Sequence, residues 1–101
     1  MQPFTRNVIN VIKKIPTGQV MTYGQIAAFA GSYRAARQVV RVLHSLSEKE
    51  SLPWHRVVNA KGEIALSDDS RLLQEILLQG EGVEVDRNGR INLDLYQHHP
   101  D

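Results

Sequence analysis

The eight residues Ser51 to Val58, "SLPWHRVV", bring the chain's one tryptophan, a histidine and an arginine together behind a proline. An imidazole can accept or pass a proton near neutral pH, a guanidinium presents a fork of donors to an anion, and an indole offers a broad, flat apolar face. Pro53 lacks an N–H and restricts Leu52 before it, which blocks a helix, whereas Val57 and Val58 favour a strand. Trp54, His55 and Arg56 are therefore expected where a loop becomes a strand, a position that presents side chains to a cleft. Taken alone, the stretch is more simply read as a core tryptophan beside a hydrogen-bonded histidine.

Other chemistry is excluded by what the chain lacks. It has no cysteine, so disulfides, thiolate metal sites and cysteine nucleophiles are ruled out together. Its four histidines, His44, His55, His98 and His99, include no pair at i,i+4 helical spacing with an accompanying acid, so no metal and no cofactor are expected. No Gly-x-Ser-x-Gly elbow is present and no serine adjoins His55, which speaks against a hydrolase built on that histidine. The N-terminal "MQPFTRNVINVIKKIP" has no apolar run long enough for a signal peptide or a membrane span. A cytoplasmic location is expected, nucleoid-associated if the source is bacterial.

The elements that must position these side chains follow from periodicity. With 101 residues, 42% of them hydrophobic, the chain suits one domain with a modest core. That domain is expected over residues 1–93, followed by a polar tail, 94–101, that frays. Phe4, Val8, Val11, Ile12 and Ile15 recur at helical spacing until Pro16 and Gly18 stop the pattern, giving an amphipathic helix from Pro3 to Lys14 or so. Thr22 and Gln25 have the spacing of a capping box and Gly31 that of a C-terminal stop, so a short helix is expected from Tyr23 to Ala30. Ser32 is a candidate N-cap for a third helix over "YRAARQVVRVLHS". Two short helices at so tight a turn make a helix-turn-helix.

On a wheel of about 100° per residue, Ala36, Val39, Val40 and Leu43 share one face of that third helix, while Arg34, Arg37, Arg41 and His44 gather on the opposite face. The formal net charge is only +1, so affinity for a polyanion must come from such a cluster. The second helix of a helix-turn-helix is where nucleic-acid contacts are made. Further on, "VVNAKGEIAL" reads as a hairpin turning at Gly62, and "VEVDRNGRINL" as another turning at Asn88-Gly89 with a loop longer than two residues. Between them "SDDSRLLQEILLQG" reads as a fourth helix, capped within Ser67 to Ser70, with Leu72, Leu73, Ile76 and Leu77 as its apolar residues and Gly80 as its stop. The expected fold class is mainly α with short β-hairpins: a helix-turn-helix, winged-helix-like DNA-binding domain.

Four stretches at compatible spacing, "PTGQVMTYGQIA", "RAARQV", "PWHRVVNAKGEI" and "LLQGEGV", carry a resemblance that runs from about Phe4 to Val85. The chain resembles the C-terminal, DNA-binding domain of the O6-alkylguanine-DNA alkyltransferases, whose active-site loop reads Pro-Cys-His-Arg-Val. Trp54 replaces that cysteine, which is the mark of the alkyltransferase-like proteins, similar in fold and DNA binding but unable to accept an alkyl group. The resemblance implies that Tyr23 rotates the target nucleotide through its phosphate and that Arg37 enters the base stack to fill the vacated space. It also implies minor-groove docking and hand-over to nucleotide excision repair proteins. Of the family's catalytic network, His55 and Glu81 match the loop histidine and the late glutamate, whereas ungapped counting puts Leu46 at the asparagine position. The arginine that faces the lesion base in some relatives has no counterpart near Ser67.

Chemistry points the same way. Attack on an O-alkyl carbon needs a soft, ionised acceptor such as a thiolate, and an indole cannot supply one. An indole can instead hold an extrahelical base by stacking or edge contact, worth about 1–3 kcal/mol per base. Extrusion costs a few kcal/mol, and less for a base that already pairs badly, as an O6-alkylguanine does. The expected function is a non-enzymatic damage sensor, a monomer that binds double-stranded DNA containing O6-alkylguanine and flips the lesion into a pocket. Trp54, His55, Val57, Ser67 and Tyr23 are expected to line the pocket. Arg37, Arg34, Arg41, Tyr23, Ala36 and Gln38 are expected to meet DNA, with Pro53, Arg56 and Glu81 supporting the loop. The alternative, a sequence-specific helix-turn-helix regulator, needs base-edge readers along the outer helix face, and only Gln38 is available.

Overall fold

Pro3 opens the first helix, α1 (Pro3–Lys13), because its fixed φ suits the first turn and its missing N–H is not needed there. The structure, a computed structural model, describes residues 1–66 and 68–100. Helix α1 buries Val8, Ile9 and Ile12, with Phe4 and Val11 half-buried beside them. A two-residue strand, β1 (Met21–Thr22), leads directly into α2 (Tyr23–Ala30) through a complete capping box. The Gln25 N–H donates to Thr22 Oγ1 at 3.1 Å, and the Thr22 N–H donates to Gln25 Oε1 at 3.3 Å. Gly31 ends α2 at φ 117°, a left-handed conformation that costs glycine no Cβ clash. Asn7 of α1 donates its amide to the Ala30 carbonyl at 3.1 Å, joining the two helices at that end.

The third helix, α3 (Ala36–Leu46), starts later than the Ser32 cap would require. Its N-cap is Ala35, and the Ser32 carbonyl accepts the Ala35 N–H at 3.0 Å to close a turn. Arg34 therefore lies in that turn, off the helix. The buried face of α3 is Val39 and Val42, while Val40 is 46% exposed. The apolar face is rotated from the one the wheel indicates because α1 and α2 cover the Val42 side.

The second strand, β2 (Val57–Val58), pairs in parallel with β1, Met21 opposite Val57 and Thr22 opposite Val58. Parallel strands need a crossover, and α2 and α3 supply it. Side chains alternate across a strand, so this small ribbon separates two apolar clusters. Met21 and Val57 join Ile12, Ile26 and Val39 on the three-helix side, whereas Val20 and Val58 join Ile64, Leu78, Val83 and Ile91 on the other.

Both expected hairpins appear as turns without ladders of their own. The Gly62 N–H reaches the Asn59 carbonyl at 2.9 Å, and the Asp86 N–H reaches Arg90 across a loop longer than two residues at 2.9 Å. The flanking backbone finds partners in the other turn: Glu63 and Arg90 form an isolated antiparallel bridge, and the Ile91 N–H donates to the Gly62 carbonyl at 2.8 Å. Gly62, at φ 77°, permits this approach, since a Cβ there would run into the Ile91 carbonyl.

Helix α4 (Asp68–Gly80) turns its leucines the wrong way for the expected core face. Leu72, Leu73 and Ile76 are 57%, 48% and 55% exposed, whereas Gln74 and Leu78 are 1% and 0% exposed. Leu78 fills the second cluster, and Gln74 faces backbone carbonyls that need donors. The Ser67 cap lies outside the described residues. The expected frayed tail is also corrected: a short helix, α5 (Leu93–Tyr96), is capped by Asn92 Oδ1, which accepts the Asp94 N–H at 3.0 Å. Beyond it the backbone runs along Val20, whose N–H donates to Tyr96 at 2.8 Å and whose carbonyl accepts the His98 N–H at 2.7 Å.

Candidate nucleic-acid interface

Pro53 starts a single 3-10 turn over Trp54–Arg56 that runs into β2, in place of an extended loop. The turn divides its three side chains between two tasks. Trp54 lines an open cleft, whereas His55 and Arg56 meet Glu81. The Trp54 and His55 rings still touch edge to face, with centroids 6.2 Å apart.

Glu81 accepts from four donors. His55 Nε2 lies 2.7 Å from Oε2, Arg56 Nη2 donates to Oε2 at 2.8 Å, Arg56 Nε donates to Oε1 at 3.0 Å, and the Gly18 N–H donates to Oε1 at 2.9 Å. Burial alone would raise this carboxyl's pKa, but the Arg56 guanidinium, the Gly18 amide and His55 outweigh it and lower the pKa to about 2. An ionised carboxylate only accepts, so His55 Nε2 must carry the proton and donate. Arg56 also donates to the Ile15 carbonyl at 2.9 Å and to Thr17 Oγ1 at 3.0 Å. This network fixes the turn to the loop after α1. It contains no thiol for His55 to deprotonate, since the chain has no cysteine. Among the described residues there is also no cluster of three His, Asp or Glu side chains that could hold a metal.

A second clamp comes from α4. Gln74 donates its two amide hydrogens to the carbonyls of His55 and Val57, both at 3.0 Å, and so ties the middle of the turn and the start of β2 to α4. The sequence does not single out Gln74, because a glutamine among leucines reads as solvated until the phase of the helix is known.

The cleft measures about 280 Å3. Trp54, Val57 and Tyr23 line it, as the sequence indicates. Burial pushes the Tyr23 phenol up, so it remains a protonated donor at neutral pH. Helix α3 adds Val40, Leu43, His44 and Ser47, and the opposite wall is Leu66, Ser70 and Gln74. The sequence does not mark those seven as wall residues. Val40 and His44 stand four apart at the border between the apolar and basic sides of α3, so both can line one cleft. His55 does not line the cleft, and Ser67 lies outside the described residues.

Arg37, Gln38 and Arg41 are exposed along α3, and Ala36 is half-buried at its start. Among the described residues, Arg37 and Arg41 make no ion pair. Arg34, in the preceding turn, lies 5.4 Å from the Tyr33 ring centroid. Arg37 and Arg41 each stand three residues before a residue that lines the indole-walled cleft, Val40 and His44, so these two cations flank it. A larger cleft of about 910 Å3, among residues such as Lys61, Glu84 and Asp94, shares no residue with it and holds none of the expected site residues.

Residues 3–83 match the family described as 6-O-methylguanine DNA methyltransferase, DNA binding domain. The DNA base-flipping protein of Escherichia coli (strain K12) is 47% identical over 94 residues, spanning 93% of this chain and 73% of that protein. Alkyltransferase-like protein 1 of Schizosaccharomyces pombe is 36% identical over 106 residues, spanning 99% of this chain and 98% of that protein. The crystal structure of the S. pombe protein in complex with damaged DNA containing O6-carboxymethylguanine matches with a TM-score of 0.88 at 35% identity, covering 99% of this chain and 98% of that one. With its fold, its Pro53-Trp54-His55-Arg56 turn and these relatives together, the chain belongs to the family of the 6-O-methylguanine DNA methyltransferase DNA-binding domain, among its alkyltransferase-like members.

Proposed function

We propose that this protein is a non-enzymatic DNA damage sensor that binds duplex DNA, rotates an O6-alkylguanine out of the stack and holds it against Trp54. The observation that carries this reading is an indole-walled cleft of about 280 Å3 beside the exposed Arg37 and Arg41, in a chain with no cysteine. Its volume lies near the lower end of small-molecule sites, about 300–1,000 Å3, and suits one extruded base. Arg37 fills the gap left in the stack, Tyr23 turns the nucleotide through its phosphate, and Arg34 and Arg41 hold the backbone. The names of the E. coli and S. pombe relatives, and the lesion in the S. pombe complex, support the same reading. A sensor that cannot remove the alkyl group must pass the complex on, and we assign that hand-over to nucleotide excision repair proteins. The protein acts as a monomer in the cytoplasm or nucleoid. No described helix is long and apolar enough to cross a membrane.

The test compares two duplexes that differ only in one O6-methylguanine. The protein should bind the damaged duplex more tightly and keep its mass after incubation. Trp54→Ala should still bind both duplexes through the arginines but narrow the gap between them by about 1–3 kcal/mol. Equal affinity for the two duplexes, or a gain of one methyl group in mass, refutes the sensor.

A further inference from the structure

The cleft of about 910 Å3 is a groove beside the second apolar cluster. Val85, Leu93 and Tyr96 line it, half-buried, and pack on that cluster, whereas Leu95 lines it at 69% exposure. Gln79 of α4 lines it too. Leu72 and Ile76, 57% and 55% exposed, stand seven and three residues before Gln79 and so share its side of α4. Apolar surface that continues from a groove along a neighbouring helix marks contact with another macromolecule.

Charge selects the class of macromolecule. Glu84, Asp86 and Asp94 line the groove, are exposed, and make no ion pair among the described residues. Of the two cations that line it, Arg90 pairs with Glu63 at 3.6 Å, which leaves Lys61. Three carboxylates against one free ammonium repel the phosphates of DNA and attract basic side chains. A second copy of the chain, meeting this groove with its own, would set carboxylate against carboxylate. The backbone points to a peptide. The Val83 N–H donates to the Leu78 carbonyl and the Asp86 N–H to that of Arg90, but between them the N–H groups of Glu84 and Val85 have no backbone acceptor among the described residues. Unpaired backbone groups beside a groove are what an added peptide strand uses.

We propose that this groove docks an extended segment of a partner protein in which basic and apolar residues alternate, on a surface separate from the one that meets DNA. It shares no residue with the Trp54 cleft and takes none of the α3 arginines, so one molecule can hold a lesion and a partner together. The groove gives the hand-over a place on this chain, and it rests on the sensor reading only for what the docked partner does.

Backbone-amide NMR of the isotope-labelled chain tests it with three short synthetic peptides, alternating Lys and Val, Glu and Val, or Lys and Ser, each acetylated and amidated. The Lys-Val peptide should move the amides of Glu84, Val85 and Leu95 to saturation. It should bind on the order of ten-fold more tightly than Lys-Ser, and Glu-Val should move none of them. Glu84→Gln combined with Asp94→Asn should weaken the Lys-Val peptide about three- to ten-fold and leave affinity for O6-methylguanine duplex unchanged. Groove amides unmoved by all three peptides, or moved equally by Lys-Val and Glu-Val, overturn the proposal. Groove amides that move as far as those of α3 when duplex is added would make this face a DNA contact. Groove amides that move with protein concentration alone would make it a contact between copies, and either result overturns the proposal too. Failure of the sensor reading shows separately, as O6-methylguanine duplex bound no more tightly than undamaged duplex.

Discussion

Glu81 is where the loop, the 3-10 turn and the end of α4 converge, and its ionisation holds them together. In the folded protein its pKa is about 2, below the ordinary value of 4.5, so folding favours the ionised form. The resulting stability is fully present above about pH 4.5 and is lost as pH falls toward 2. Glu81→Gln should remove that acid-dependent loss and, at neutral pH, cost about 1–3 kcal/mol, because the largely buried Arg56 loses its carboxylate. Urea denaturation at several pH values checks this; parallel acid loss in both proteins would acquit Glu81. The partners of this network were legible in the sequence only as a family pattern. That Trp54 and His55, adjacent in the chain, serve different tasks was not legible, because a 3-10 turn rotates successive side chains by about 120° whereas a strand alternates them.

The helices differ in how far local chemistry determines them. Helix α2 is legible end to end, since Thr22, Gln25 and Gly31 act within the helix and its caps. The start of α3 is not, because Ser32 spends its carbonyl on a turn. In α4 the apolar spacing identifies residues that share a face, but not which face is covered. The carbonyls of His55 and Val57 select Gln74, and they exist as acceptors only after the chain has folded. Ile76→Gln should therefore change stability by less than about 0.5 kcal/mol, whereas Leu78→Ala should cost about 2–4 kcal/mol. Denaturant titrations that reversed this order would return the leucine face to the core. For α3, binding to duplex DNA should weaken with salt despite the net charge of +1. If Arg34, Arg41 and one or two more cations each neutralise a phosphate, log K falls against log salt with a slope of roughly −3 to −5, and Arg41→Gln shifts it by about one. A flat response would take DNA out of the account.

The whole molecule is two apolar clusters joined at the β1–β2 ribbon, and the cleft is assembled across that seam. Tyr23 enters from α2, Val57 from the seam itself, Trp54 from the 3-10 turn that runs into it, and Gln74 from α4. The C-terminal residues bind the same seam from the far end of the chain. His98 Nδ1 lies 2.9 Å from Gln19 Oε1, and Gln97 donates its amide to Gln25 Oε1 at 3.0 Å, the same oxygen that completes the α2 capping box. Gln25 in turn donates its amide to the His98 carbonyl. A polar tail reads as solvated because hydrogen bonds to backbone and amides leave no apolar period, so this brace was hidden in the sequence. Its mechanical consequence reaches the cleft, for Tyr23 is the first residue of the helix that Gln25 caps. Removing residues 97–101 should cost about 1–3 kcal/mol of stability by freeing these groups, and should speed hydrogen exchange at the first amides of α2. Gln97→Ala should do the same to a smaller degree, since it leaves the backbone bonds of Val20 intact. If Tyr23 acts on the flipped nucleotide, the truncated protein should lose affinity for lesioned duplex by a larger factor than for undamaged duplex, because the arginine strip on α3 is untouched. A truncated protein with native exchange at α2 and an unaltered lesion preference would show that the tail braces nothing that the cleft needs.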